Sequence, residues 1–257
     1  MSETNPYKPP LPVEGEAAVP GQFSRRARAV DAGRSWEWLV SGFGLFKKQP
    51  GMWILLLIVY LVVSVLIALV PLLGSIANLV LYPVFIAGLM LGCNALERGG
   101  ELEISHLFAG FKQNTSDLLM VGLLALVGWI VILIPMFVIV GGGAFFAALR
   151  GDASAVAAFG LTFALAFLVV LALSIPLYMA LWFAPTLVAL HQLKPMDALK
   201  ESFFACLRNI IPFLLYGVIV LVLTFIAAIP FGLGFLLLVP VVIASIYTAY
   251  KDIFFAT

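Results

Sequence analysis

Residues 49–96 read QPGMWILLLIVYLVVSVLIALVPLLGSIANLVLYPVFIAGLMLGCNAL, 48 positions without one Asp, Glu, Lys or Arg. A helix rises about 1.5 Å per residue, so crossing a hydrocarbon core of about 30 Å takes about 20 apolar residues. This stretch therefore holds two membrane spans and a tight turn. Three more charge-free stretches follow outward along the chain: Leu118 to Leu149, Ala153 to Leu193, and Asn209 to Tyr250. The last is long enough for two spans, and the middle two hold one each. The sum is an all-α polytopic bundle of six transmembrane helices.

Composition supports the same class. The chain is 63% hydrophobic and 11% charged, whereas a soluble domain is about 25% charged. A β-barrel would show alternating segments of about 10 residues, and none is present. The net charge of +1 carries no nucleic-acid signal. Cys93 and Cys206 are too few for a disulfide framework. The start has no short apolar run with a small-residue cleavage site.

The bases are placed asymmetrically. Residues 1–34 are polar and rich in Pro, Gly and Ala, and read as a disordered tail carrying Arg25, Arg26, Arg28 and Arg34. Residues 35–257 read as one membrane domain. With six spans and a cytoplasmic start, 13 of the 14 Lys and Arg residues fall inside and only Arg150 falls outside. The positive-inside rule thus predicts both termini in the cytoplasm.

A repeat runs through the chain. Phe43-x-x-Phe46-Lys47, Phe108-x-x-Phe111-Lys112 and Phe204-x-x-Leu207-Arg208 each precede an odd-numbered span. A Gln or Asn follows each base within three residues: Gln49, then Gln113 and Asn114, then Asn209. A proline comes next (Pro71, Pro135, Pro230), then a Pro-x-x-x-Ala (Pro83, Pro176, Pro240). Agreement in order and spacing predicts three in–out–in hairpins, about 35–97, 98–193 and 194–257, each opened by a cytoplasmic interfacial helix. Trp36, Leu39, Val40 and Phe43 fall on one face of the first such helix. The middle copy carries extra residues, about 141–166, expected to extend the third span and build an outer element around Gly141–Gly143 and Arg150–Asp152. Mitochondrial carriers share the plan of three two-helix repeats. Their charged signature is missing, since Pro71, Pro135 and Pro230 are followed by Leu72, Met136 and Phe231.

Chemistry-bearing residues are sparse. No Asp, Glu, Lys or Arg falls at mid-membrane in the assigned spans, where such residues mark ion or proton paths. His106 and His191 sit near the interface without a second metal ligand at suitable spacing. No HExxH, GxSxG, Walker loop or CxxC occurs. No catalytic, cofactor or metal site is therefore expected. The residues placed to meet lipid headgroups or a partner are Arg25, Arg26, Arg28, Trp36, Phe43, Lys47, Phe108, Lys112, Phe204 and Arg208.

Several phrases carry a resemblance. They are Asn5-Pro6-Tyr7-Lys8-Pro9-Pro10, Gly33-Arg34-Ser35-Trp36-Glu37-Trp38, Phe46-Lys47-Lys48-Gln49-Pro50, Trp182-Phe183-Ala184-Pro185 and Ala198-Leu199-Lys200-Glu201-Ser202-Phe203. With these the chain resembles a family of proteobacterial inner-membrane proteins with an Asn-Pro-Tyr-x-Pro-Pro start. The resemblance implies a bacterial inner membrane and no established activity. The expectation is a non-enzymatic protein that organises lipids or other membrane proteins through its cytoplasmic face. The alternative is a channel or carrier for a small neutral or hydrophobic solute.

Overall fold

The computed structural model describes residues 22–150 and 153–255; for 143–150, 153–159 and 161 it describes the backbone alone. Nine α-helices follow in order among these residues. They are α1 (Arg34–Lys48), α2 (Pro50–Ala68), α3 (Leu73–Glu97), α4 (Ile104–Leu107), α5 (Thr115–Arg150), α6 (Ala153–His191), α7 (Pro195–Arg208), α8 (Ile210–Ala228) and α9 (Phe235–Phe254). A 3-10 turn, Ala109–Phe111, follows α4. Six of the helices, α2, α3, α5, α6, α8 and α9, are long and apolar enough to cross a bilayer. The protein is a multi-pass membrane protein.

Local sequence explains where these helices start and turn. Pro50 opens α2 at a position whose N–H would have no partner anyway. The α2–α3 turn places Leu72 at φ 62°, and the α8–α9 turn places Phe231 at 52° and Gly232 at 81°. Both turns are closed by a glycine. A Cβ at Gly74 would overlap the carbonyl of Ile67, and one at Gly234 would sit 2.5 Å from Cα of Ala227. The prolines Pro83, Pro135, Pro176, Pro185 and Pro240 lie inside helices rather than ending them. Membrane helices tolerate this where neighbours satisfy the freed carbonyls.

Burial separates inner helices from outer ones. The spans of α3 and α9 are 50% and 56% buried, against 11% for α2 and α5 and 17% for α8. The last turns of α6 join the centre, where Phe183, Ala184, Leu187 and Val188 are fully buried. The outer helices present Leu61, Val62 and Val65, or Leu214, Val218 and Leu221, on exposed faces. In a bilayer these faces meet lipid, and burying apolar surface brings little gain. Association then rests on close packing of small residues and on interhelical hydrogen bonds.

The short helices show that packing most clearly. α4 and its following turn pack on α3, α7 packs on α6, and α1 returns to pack on α9. Gly42 of α1 has no room for a side chain, since a Cβ would lie 2.6 Å from the Ser245 nitrogen of α9. A Cβ at Gly88 of α3 would overlap the His106 carbonyl and lie 2.9 Å from that of Leu107. A Cβ at Gly110 would overlap the Val84 carbonyl. Gly88 and Gly92 thus admit close contact, and the neighbour is α4 with the residues leading into it.

The α7–α6 contact adds a hydroxyl. Ser202 Oγ accepts from Phe183 N–H at 2.9 Å and donates to the Met179 carbonyl at 2.7 Å. These are the two groups that an undisturbed α-helix would pair with each other, so the serine is inserted into a rung of α6. Ser202→Ala is expected to lower stability by about 1–3 kcal/mol, the cost of orphaning buried backbone groups. Thermal unfolding in detergent measures it, and Ser202→Thr should recover part of the loss.

Two expectations about segment boundaries take a specific form. Of the 1–34 tail, residues 1–21 lie outside the described residues, while 22–33 pack on the end of α9. Ser24 N–H donates to Phe254 O at 2.8 Å, Arg28 N–H donates to Ile253 O at 2.9 Å, and Phe23 forms an isolated antiparallel bridge with Phe255. Over 141–166 the backbone is helical up to Arg150 and again from Ala153, giving α5 36 residues and α6 39. Gly151 and Asp152, at the middle of the segment expected to build an outer element, lie outside the described residues.

Candidate functional site

The charges gather where α3, α6 and α9 end and α1, α4 and α7 lie. Its most connected group is Asp252, in the last turn of α9. Arg28 Nη2 donates to Asp252 Oδ1 at 2.6 Å, Arg34 Nη2 to the same oxygen at 2.7 Å, and Arg34 Nε to Oδ2 at 2.8 Å. Trp38 Nε1 adds a fourth bond, to Oδ2 at 2.8 Å. The Asp252 side chain is 5% exposed and the two arginines about a third exposed. Hydrogen bonding to this carboxylate holds the Arg34 guanidinium above its usual value, against the opposing effect of burial.

Three amides tie neighbouring segments together at the same end. Gln49 Oε1 accepts from Leu102 N–H at 2.6 Å, just before α4. Asn114 Nδ2 donates to Val188 O at 3.1 Å, in the last turn of α6. Asn209 Oδ1 accepts from Val30 N–H at 2.8 Å, and its Nδ2 donates to Arg28 O at 2.9 Å, just before α1. Each amide lies just before an odd-numbered span; Gln49 and Asn209 hold the approaches to α4 and α1, and Asn114 holds the last turn of α6.

A polar cavity of about 260 Å³ sits between the ends of the inner helices. Tyr247 Oη donates to Glu97 Oε2 at 2.6 Å, with Asn94 Oδ1 3.2 Å away. Lys251 pairs with Glu97 at 3.2 Å. His191 Nε2 is hydrogen-bonded to Tyr250 Oη, and Phe23 stacks on the His191 ring with centroids 3.4 Å apart. The approach segment therefore lies against this cavity. Every one of these polar groups has a protein partner, and the described residues hold no cluster of three or more His, Cys, Asp or Glu that could hold a metal.

The residues singled out from sequence fall into distinct settings. Arg28 is spent on Asp252, and Arg208 Nη1 donates to Ala27 O at 2.8 Å. Arg25 and Arg26 are exposed. They act on Glu201, whose carboxyl burial pushes up while Arg25 and Arg208 pull it back. Trp36 is 57% exposed and Phe43 40%, with the Lys47 ammonium 5.0 Å above the Phe43 ring. Phe108 packs inward on Phe85, with centroids 6.2 Å apart. Lys112 is exposed, and Phe204 is 53% exposed. The apolar face assigned to α1 is in fact divided. Leu39 and Trp38 are buried, while Trp36, Val40 and Phe43 face outward. That outward face roofs a groove of about 420 Å³ between α8 and α9, with Leu223, Pro230 and Leu237 among its walls.

Sequence reasoning passed over Asp252, Glu97, Tyr247 and the His191–Tyr250 pair as an assembly. The only signal for Asp252 was a lone carboxylate beside the end of a span.

A domain of unknown function, DUF7847, matches residues 46–253. The chain belongs to that family. A protein of Burkholderia thailandensis named a probable inner membrane protein is 30% identical over 205 residues, which is 74% of this chain and 73% of that one. No solved structure matches. The family resemblance expected from the sequence therefore stands at the level of a membrane-protein family.

Proposed function

We propose that this is a non-enzymatic protein of the bacterial inner membrane that organises lipid at its cytoplasmic face. The observation that carries the reading is the groove roofed by α1. Trp36 and Phe43 are exposed on its roof, Lys47 sits beside them, and the walls below belong to spans. An aromatic and basic rim above an apolar cleft suits a phospholipid, with its headgroup at the lysine and its chain below. The name of the Burkholderia relative supports the inner membrane. The excess of bases at the charged end supports a cytoplasmic placement of that end.

Three related hairpins account for the architecture. The order short helix, span, span occurs three times in the element sequence. Each short helix packs on the second span of the preceding unit, and α1 closes the ring on α9. The amides Gln49 and Asn209 follow the same circular order, and Asn114 holds the last turn of α6, the helix on which α7 packs. Parallel units related by an axis along the membrane normal would produce this pattern. The alternative of a solute pathway along that axis draws no support from the centre, where Ala87, Met90, Leu187 and Ala244 are fully buried.

Photo-crosslinking residues placed at Phe43, Phe108 and Phe204 in native membranes test the reading. Positions 43 and 204 should form phospholipid adducts, and position 108 should crosslink within the chain. Adducts with water alone at position 43 would overturn it.

A further inference from the structure

A further cavity lies among α2, α3, α8 and α9, four helices long and apolar enough to span a bilayer. Its volume is about 340 Å³, within the range of small-molecule sites. Leu56, Phe85, Val220 and Ile243 are among its apolar walls. Two phenols interrupt them, Tyr60 of α2 and Tyr82 of α3. Neither hydroxyl has a hydrogen-bond partner among the described residues. Both are accessible: Tyr82 is 49% exposed, and Tyr60 is half-buried with its oxygen not closed off. The two lie near enough for Tyr60 to act on Tyr82 electrostatically. The other polar side chains of the lining have a different setting. Thr224 Oγ1 donates to the Val220 carbonyl at 2.8 Å, and the Trp53 N–H is shut away from the cavity.

From these observations we infer that the cavity is a binding site for a neutral, bilayer-soluble molecule that brings a carbonyl oxygen to mid-membrane, where the hydroxyls of Tyr60 and Tyr82 donate to it. Depth carries the argument. Tyr60 is the eleventh of the 19 residues of α2, about 15 Å from its start and about 12 Å from its end. Tyr82 is the tenth residue of α3, about 14 Å from its start. Both therefore sit near the middle of a hydrocarbon core of about 30 Å, whereas membrane tyrosines favour the interfaces. A phenol hydroxyl is a donor, and one left bare in hydrocarbon is costly. A bond between the two phenols would still leave one proton without an acceptor. Phospholipid acyl chains offer none at this depth, because their esters lie at the headgroup boundary. Water needs several polar partners, and most of this lining is hydrocarbon. A small neutral molecule that dissolves in the bilayer can carry an acceptor to this depth, and the cavity is of its size. This site is separate from the groove under α1, and neither reading depends on the other.

The test uses the full chain in phospholipid nanodiscs and two photoreactive probes, a diazirine-bearing decylbenzoquinone and a diazirine-bearing decylbenzene. Adducts are mapped by mass spectrometry. The quinone probe should label Leu57, Ile86 and Ile243 several-fold more densely than the hydrocarbon probe does, and excess unlabelled decylbenzoquinone should displace it. The double variant Tyr60→Phe, Tyr82→Phe keeps both rings and removes both hydroxyls. It should lower quinone labelling several-fold, to the hydrocarbon level, and leave hydrocarbon labelling unchanged. Ile243→Trp, which fills the space, should abolish labelling by both. Absence of saturable quinone labelling at these positions, as for a cavity filled by water or by acyl chains, would overturn the site. Equal labelling by the two probes in the wild type, or equal loss of both in the double variant, would overturn the role of the hydroxyls.

Discussion

Replacing Asp252 with alanine is expected to destabilise the protein by about 3 kcal/mol, within the range for removing one partner of a buried ion pair. The size follows from what the substitution leaves behind. Trp38 is 2% exposed and would lose the acceptor of its indole N–H. Two guanidiniums would lose the same counter-charge, though both are about a third exposed and can partly rehydrate. Removing Trp38 alone should cost packing against Phe213, whose ring lies 5.4 Å away, and should leave both ion pairs in place. The measurement is a melting curve of the purified protein in detergent, with Asp252→Asn as a companion. The asparagine keeps an acceptor for Trp38 and should fall between the wild type and alanine. A second readout is local. Arg28 and the backbone of residues 24–28 are held on α9 through this corner, so Asp252→Ala should speed tryptic cleavage at Arg25 and Arg26. Unchanged melting and unchanged cleavage would mean that the cluster is ornamental.

Gly88→Val is expected to be at least as damaging. The first atom of any side chain at this site would overlap the His106 carbonyl and press on that of Leu107. Both obstacles are backbone, so no rotamer change relieves them. Overpacking commonly costs about 1–3 kcal/mol, and displacing α4 from α3 would add the contacts of Leu107, which is fully buried. Gly44→Val is a fitting control, because a Cβ at Gly44 meets nothing within 4 Å. The pair should differ widely in yield of folded protein and in melting temperature. Similar behaviour of the two would contradict the close approach of α4 to α3.

The spans were legible because hydrophobic length is a one-dimensional property, and a bilayer imposes it directly. Gln49 to Leu96 could hardly be read otherwise. The amides were legible as a position in a pattern, but their work was not: Asn209 reaches Val30 across 179 residues of sequence separation. Arg28 and Arg34 read as headgroup or topology charges, since nothing local distinguishes them from Arg25 and Arg26. Their partner Asp252 lies more than 200 residues away and carries no motif. Trp38 and Trp53 both lie near the start of the first span, and nothing local in the sequence tells them apart. The structure separates them, giving one a carboxylate and leaving the other without a partner. The split of α1 into a buried face and an outward face depends on where α9 crosses it, which the periodicity of α1 alone does not contain. The two apolar cavities depend in the same way on how helices diverge.

The central claim is a six-span protein whose charged end faces the cytoplasm and whose opposite turns face outward. Cysteine labelling of intact cells tests it most directly. The two native cysteines give little background: Cys93 is buried, and burial pushes the Cys206 thiol up to about 12. Single cysteines would be placed at Leu72 and Phe231, both highly exposed in the two tight turns, and at Lys112 and Lys200 at the charged end. An impermeant maleimide added outside should label positions 72 and 231, and should reach 112 and 200 only after the membrane is opened. Labelling of 112 or 200 in intact cells, or protection of 72 and 231, would contradict the account.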